Sequence, residues 1–225
     1  MIVKICGATT AAEVALLGDA GVDLVGLWHG VPGGRADLPV ESIAALAPVA
    51  RRHLEPVLVT FISDAAALLD VLGRTGVRCV QLHALQPPGL VEALKAVDEG
   101  LTVVKVLHIA GETCLERPLI GSYERAGTDV FLLDAATADG RIGSTGQPLA
   151  GPAVISLADR LSRSFLLAGG ISATNRSDFE AVVGHPRFAG IDVDTAARDA
   201  RGRIQAERVA AIQRHWTCSH EERTA

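Results

Sequence analysis

Eight short runs of β-branched and leucine-rich residues recur along the chain at intervals of roughly 25 residues, and this spacing limits the fold more than any other feature. The runs are Val3–Cys6, Val22–Trp28, Pro56–Phe61, Val77–Leu82, Thr102–His108, Asp129–Asp134, Ser164–Ala168 and Phe188–Val193. Between them lie stretches of helical period rich in Ala, Leu, Glu and Arg: Ala11–Ala20, Val40–Arg52, Asp64–Arg74, Pro88–Val97, Cys114–Ala126, Ala150–Leu161, Asn175–Val183 and Gln205–His215. Parallel strands joined by right-handed helical crossovers either close on themselves or spread into an open, doubly wound sheet. Eight units within 225 residues point to closure, a single (β/α)8 TIM barrel over residues 1–215 followed by a frayed tail over 216–225. An open dinucleotide-binding sheet is the structural alternative. It asks for Gly-x-Gly-x-x-Gly after the first strand, where this chain has Cys6-Gly7-Ala8-Thr9-Thr10.

Hydrophobic residues make up 48% of the chain and aromatics only 4%, which suits buried parallel strands under Ala-rich helices rather than a β-sandwich. The formal charge of −5 is spread over interspersed Arg, Asp and Glu. That pattern gives no footprint for nucleic acid or an anionic membrane, so the expected partner is a small-molecule substrate. The start, Met1–Thr10, lacks a basic region followed by a long apolar run, and no segment reaches the ~20 apolar residues of a membrane helix, so a cytoplasmic protein is expected. Cys6, Cys79, Cys114 and Cys218 form no Cys-x-x-Cys pair, which speaks against a disulfide framework or a zinc knuckle. The exposed helix faces set no oligomeric state.

In such a barrel, chemistry sits on the last inward residue of a strand or in the loop just after it. That rule selects Lys4, Cys6, His29, Arg35, Gln81, His83, Lys105, His108, Asp134, Asp192 and Asp194. Side chains alternate along a strand, so Lys4 and Cys6 share one face of the first strand and Leu132 and Asp134 one face of the sixth. A cysteine and a carboxylate across a barrel mouth can act as base and acid once burial and neighbours tune them. Lys4, two residues before Cys6, is expected to favour a thiolate. Asp134 closes the apolar run Val130-Phe131-Leu132-Leu133, a place where a carboxylate is seldom buried without a partner or a task. Three other uses of these residues remain open: a Schiff base on Lys4 or Lys105, a metal held by His29, His83, His108, Asp134, Asp192 and Asp194 for lyase or hydrolase chemistry, and a barrel that binds without catalysing.

Four segments, in order and at matching strand ends, carry a family resemblance: Lys4-Ile5-Cys6-Gly7, Gln81-Leu82-His83, Leu132-Leu133-Asp134 and Leu167-Ala168-Gly169-Gly170-Ile171. Together they resemble the phosphoribosylanthranilate isomerases, (β/α)8 enzymes of tryptophan biosynthesis. The resemblance implies a cofactor-free, metal-free Amadori isomerisation of an N-ribosyl amine, with Cys6 as general base at the sugar C2 and Asp134 as general acid that helps open the ribose ring. Lys4, Arg35, Gln81, His83, Gly169, Gly170, Asp192 and Asp194 are expected to bind substrate, and the resemblance matches Arg35 to an arginine that pairs with the anthranilate carboxylate.

The chain departs from the family at the mouth. Gly33-Gly34 stands where Ser-Pro is usual, Trp28-His29 replaces an aliphatic-aromatic pair, and Gly143-Ser144-Thr145-Gly146 replaces Gly-Gly-Thr-Gly. Ile191-Asp192-Val193-Asp194-Thr195-Ala196-Ala197-Arg198 replaces Val-Asp-Val-Ser-Ser-Gly-Val-Glu, which sets the Asp194 carboxylate where a phosphate is expected. A paralogue acting on a different, non-phosphorylated substrate in specialised metabolism is therefore the alternative function.

Overall fold

The computed structural model describes residues 1–136 and 149–217. Eight strands form the barrel: β1 (Ile2–Cys6), β2 (Leu24–Trp28), β3 (Glu55–Thr60), β4 (Cys79–Leu82), β5 (Thr102–Ala110), β6 (Val130–Ala135), β7 (Ser164–Leu167) and β8 (Phe188–Val193). Every neighbouring pair is parallel, each strand beside the next in sequence, and the sheet closes through β1 and β8, where Ile2, Val3, Lys4 and Ile5 stand opposite Gly190, Ile191, Asp192 and Val193. Closure gives each strand two partners, which removes the exposed edges of an open sheet.

The crossovers are α1 (Ala11–Asp19), α2 (Val40–Ala50), α3 (Ala65–Thr75), α4 (Pro88–Val97), α5 (Ile120–Ala126), α6 (Gly151–Ala158), α7 (Glu180–Val183) and α8 (Ala206–Thr217). Their starts are written in short side chains: the Thr10 hydroxyl accepts the Glu13 amide at the head of α1, and the Asp64 carboxylate accepts the Ala67 amide at the head of α3. Gly76, in the left-handed region at φ 65°, ends α3.

Strand alternation divides the buried residues into two layers. Val3, Ile5, Val25, Leu27, Leu58, Leu107, Leu133 and Leu167 point outward into the shell under the helices. The other parity fills the barrel with Cys6, Trp28, Val57, Val59, Cys79, Val104, Val106, Leu132, Leu166 and Ala168. The last inward residue of each strand therefore sits at the mouth.

Three expected boundaries shift. Cys114 was expected to open a helix, but Thr113–Cys114 folds back antiparallel onto Ile109–Ala110 through Gly111, and α5 begins after a 3-10 turn at Arg117–Leu119. Asn175–Val183 splits into a 3-10 turn over Arg176–Phe179 and the four residues of α7. The frayed tail was expected from residue 216, yet α8 runs through Thr217. Trp216 is 2% exposed, its indole N–H donates to Ser172 O at 2.7 Å, and its ring lies 6.4 Å from that of Phe179. One aromatic anchor in a polar stretch is enough to hold the last turn. Trp216→Ala is expected to cost about 3–5 kcal/mol through the cavity it leaves. A urea unfolding midpoint unchanged from wild type would remove Trp216 from the core.

Candidate active site

The C-terminal ends of the strands surround a cavity of about 590 Å³, a size suited to a small molecule. Its floor on one side is built by β1, β2 and β8. Lys4 Nζ donates to Asp192 Oδ2 across the closing seam at 2.8 Å, and both side chains are buried. Cys6 stands opposite Gly26, and a Cβ at position 26 would lie 2.6 Å from Cys6 Sγ and 3.2 Å from Lys4 Nζ. Only glycine there leaves room for the thiol and the ammonium to meet. From the end of β2 the Trp28 indole N–H donates to Cys6 Sγ at 3.0 Å.

Burial drives the Cys6 thiol up to about 12, while Lys4 and the Trp28 N–H pull the other way. The thiolate expected beside Lys4 is thus outweighed by desolvation, and the resting group is a thiol. Burial also pushes Lys4 toward its neutral form, but attraction to Asp192 and Cys6 overcomes this and holds the ammonium above its ordinary value.

Asp134 closes β6 at the same cavity, 8% exposed, its Oδ1 accepting the Ala135 amide at 2.8 Å. Burial raises its pKa to about 6, against the opposing pull of His108 and that amide. His83 Nε2 lies 3.5 Å from Asp134 Oδ2. The Gln81 amide nitrogen meets His83 Nδ1 at 2.8 Å, and the ring stacks on Phe61 at 5.7 Å. Desolvation first, and then the positive neighbours, keep His83 well below 6.5, so it is a neutral ring next to the carboxyl. Behind it, His108 is fully buried with Nδ1 2.6 Å from Glu116 Oε1 and its backbone N–H on Glu116 Oε2 at 3.0 Å.

The third side of the mouth carries an ion cluster. Asp194, just after β8, pairs with Arg35 from the loop after β2 and with Arg198 Nε at 2.8 Å. Arg198 is 6% exposed, and its other nitrogens donate to Gly202 O, Cys6 O and Gly7 O at 2.7–2.8 Å. Arg35 lies 5.4 Å over the Trp28 ring. Gly169 and Gly170, at φ 76° and 74°, turn the chain after β7 along the adjacent wall.

Most of the residues expected from the sequence converge here, but not all do so in the same way. Cys6, Arg35, His83, Asp134, Gly169, Gly170, Asp192 and Asp194 line the cavity. Lys4 and Gln81 lie beneath it, acting through Cys6 and Asp192 and through His83. Lys105 was expected at a strand end, but its parity is that of the outer face: its Nζ bonds Ala84 O and Val106 O and lies 5.3 Å from the Tyr123 ring, which argues against a Schiff base there. His29 turns away to Leu38 O, bracing the loop that carries Arg35. Among the described residues no group of three or more His, Cys, Asp or Glu is placed to hold a metal ion. The segment Gly143-Ser144-Thr145-Gly146 and Cys218 lie outside the described residues. Trp28, Gly26 and Arg198 were missed as site residues. The strand-end rule selects Trp28; nothing local marks the other two.

The profile of the family described as N-(5'-phosphoribosyl)anthranilate (PRA) isomerase matches residues 3–212. An N-(5'-phosphoribosyl)anthranilate isomerase of Azorhizobium caulinodans is 31% identical over 214 residues, covering 94% of this chain and 90% of the relative. One from Afipia carboxidovorans is 32% identical over 218 residues, covering 95% and 88%. Among solved structures, the phosphoribosyl anthranilate isomerase of Thermus thermophilus superposes with a TM-score of 0.79 at 24% identity, covering 96% of this chain and 98% of that one. A phosphoribosyl anthranilate isomerase in complex with reduced 1-(o-carboxyphenylamino)-1-deoxyribulose 5-phosphate gives 0.72 at 22% identity, covering 95% and 97%. At these identities the structures show the shared barrel.

Asp134 also makes stability depend on pH. Its folded pKa lies above the unfolded one, so native protein holds a proton that the unfolded chain has lost between about pH 4 and 6. The stabilisation is complete below that window and is lost as pH rises through it. The advantage of wild type over Asp134→Asn in urea unfolding should shrink by roughly 2–3 kcal/mol from pH 4 to pH 7; a constant difference would mean that the carboxyl is not raised.

Proposed function

The chain belongs to the N-(5'-phosphoribosyl)anthranilate isomerase family, and on that premise we propose that it catalyses the cofactor-free Amadori isomerisation of an N-ribosyl amine, with Asp134 as general acid and Cys6 as general base. The observation that carries this reading is one cavity lined by both a carboxyl raised to about 6 and a thiol flanked by an ammonium and an indole N–H.

The reaction needs a proton delivered to the ribose ring oxygen and another removed from C2. Protonated Asp134 gives the first, and the ring opens to an iminium at C1. The Cys6 thiolate takes the second, forming an enol amine that becomes the 1-amino-1-deoxy ketose. Neutral His83 steadies the Asp134 carboxyl without competing as a cation. Lys4 and Trp28 stabilise the thiolate of the competent form, and the iminium charge adds to theirs while it lasts. Cys6, Cys79 and Cys114 are free thiols, which suits a reducing cytoplasm. Among the described residues no helix is long and apolar enough to cross a membrane. A family member acting on an unphosphorylated N-ribosyl substrate is the second reading, and Asp194 in the loop after β8 favours it.

The competent enzyme carries one proton on this pair, on Asp134 rather than Cys6. With the pair titrating near 6 and 12, kcat/KM should climb about tenfold per pH unit up to about pH 6 and stay level through neutrality. A decline between pH 6 and 8 would make the doubly protonated form the reactant and remove the thiolate from the mechanism. Followed by the loss of anthranilate fluorescence, turnover should fall at least 100-fold in both Cys6→Ser and Asp134→Asn, on the order expected when a general acid or base is removed. Near-wild-type rates in either folded variant would rule out that residue's role.

A further inference from the structure

We propose that the end of the cavity between the loops after β7 and β8 takes an uncharged, hydroxyl-bearing sugar terminus and that Asp194, clamped by Arg35 and Arg198, excludes a phosphate from it; this deepens the isomerase reading and rests on it for the identity of the sugar.

Loops after strands seven and eight are where barrels of this kind hold phosphate, on free backbone N–H groups and unopposed positive charge. Here the cavity wall formed by those loops includes the carboxylates of Asp192 and Asp194. Asp192 is paired with Lys4 below the floor. Asp194 is paired with both arginines, so a dianion entering here would meet a carboxylate whose counter-charges are already engaged.

Asp194 cannot turn aside easily, because Arg198 is fixed. Its Nε is on Asp194, one terminal nitrogen is on Gly202 O, and the other bridges Cys6 O and Gly7 O, so four of its five N–H groups have partners within the protein. Swinging Arg198 onto a ligand would strip the carbonyls of the turn that carries Cys6. Within the turn after β8 the Ala197 amide donates to Asp194 O and the Arg198 amide to Thr195 O, which fixes the backbone that carries both side chains. A carboxylate held this way is a fixed acceptor, the partner a sugar hydroxyl wants and a phosphate oxygen does not.

Two stable probes separate the cases: 1-(2-carboxyphenylamino)-1-deoxyribitol and its 5-phosphate, titrated into the full-length protein by calorimetry. Wild type should bind the unphosphorylated compound at least tenfold more tightly. Asp194→Asn and Asp194→Ser should each move the ratio at least tenfold toward the phosphate. Equal or tighter binding of the phosphate by wild type, an unchanged ratio in both folded variants, or no binding of either probe overturns the proposal. Parallel assays with N-ribosylanthranilate and its 5'-phosphate keep the two readings apart: no turnover of either, with the binding preference intact, sinks the isomerase reading alone.

Discussion

The pair between Lys4 and Asp192 is the contact that ties the closing seam of the barrel to its candidate active site. It spans the seam where the last strand meets the first, and it lies directly beneath Cys6. A buried ion pair is a poor device for stability alone, because desolvating two charges offsets most of their attraction and a well-packed apolar pair would do as well. Apart from Gln81, the interior beneath the cavity is mostly apolar, with Val57, Val104, Leu132 and Leu166 filling it. A charged pair at this one seam therefore makes sense for what it does to its neighbours: it keeps an ammonium under the Cys6 thiol, offsetting part of the rise that burial causes. Gly26 permits the contact and Trp28 completes it, so three strands converge on a single sulfur.

Across the cavity the same physical force acts with the opposite use. Desolvation raises Asp134 toward the range in which a carboxyl can donate a proton at neutral pH. His83 is the group best placed to undo this by ionising, and it is kept neutral by burial and by positive charge around it. Glu116 and His108, side by side behind it, hold the back of this wall. Burial in one cavity thus makes both groups weaker acids: Asp134 keeps its proton to higher pH, and the Cys6 thiolate, harder to form, is the stronger base once formed. At neutral pH the single proton of the pair rests mostly on Cys6, and the proposed reactive form is the minor one in which it sits on Asp134 instead.

Much of this was legible in the sequence because a closed parallel barrel turns two simple periods into geometry. Alternation along a strand put Cys6 and Asp134 on inward faces, and the strand-end rule put them at the mouth. The same alternation, applied to Lys105, points away from the mouth, since it lies between the inward Val104 and Val106. Trp216 was unreadable because a lone aromatic in a polar stretch has no period to mark it, whereas in space it meets Phe179 and Ser172. Arg198 was hidden for a related reason: its partners Cys6 O and Gly7 O lie 192 and 191 residues away, and backbone carbonyls leave no trace in side-chain pattern.

Asp194 and Arg198 are best understood as a single change. A carboxylate alone in the loop after β8 would be a half-buried charge beside Asp192, repelled and costly to keep. Arg198 alone would place a cation under the turn of Cys6 with its Nε unmatched. Four residues apart on one short turn, each supplies what the other lacks, and Arg35 adds a second cation from across the mouth. The result is a wall whose charges are satisfied before any ligand arrives, which is the reverse of a site built to receive a dianion. Asp134 and Cys6, the proposed acid and base, sit on the strands, where the barrel holds them; the proposed reader of the sugar terminus lies in a loop, where a paired substitution can alter what is accepted without disturbing the strand residues.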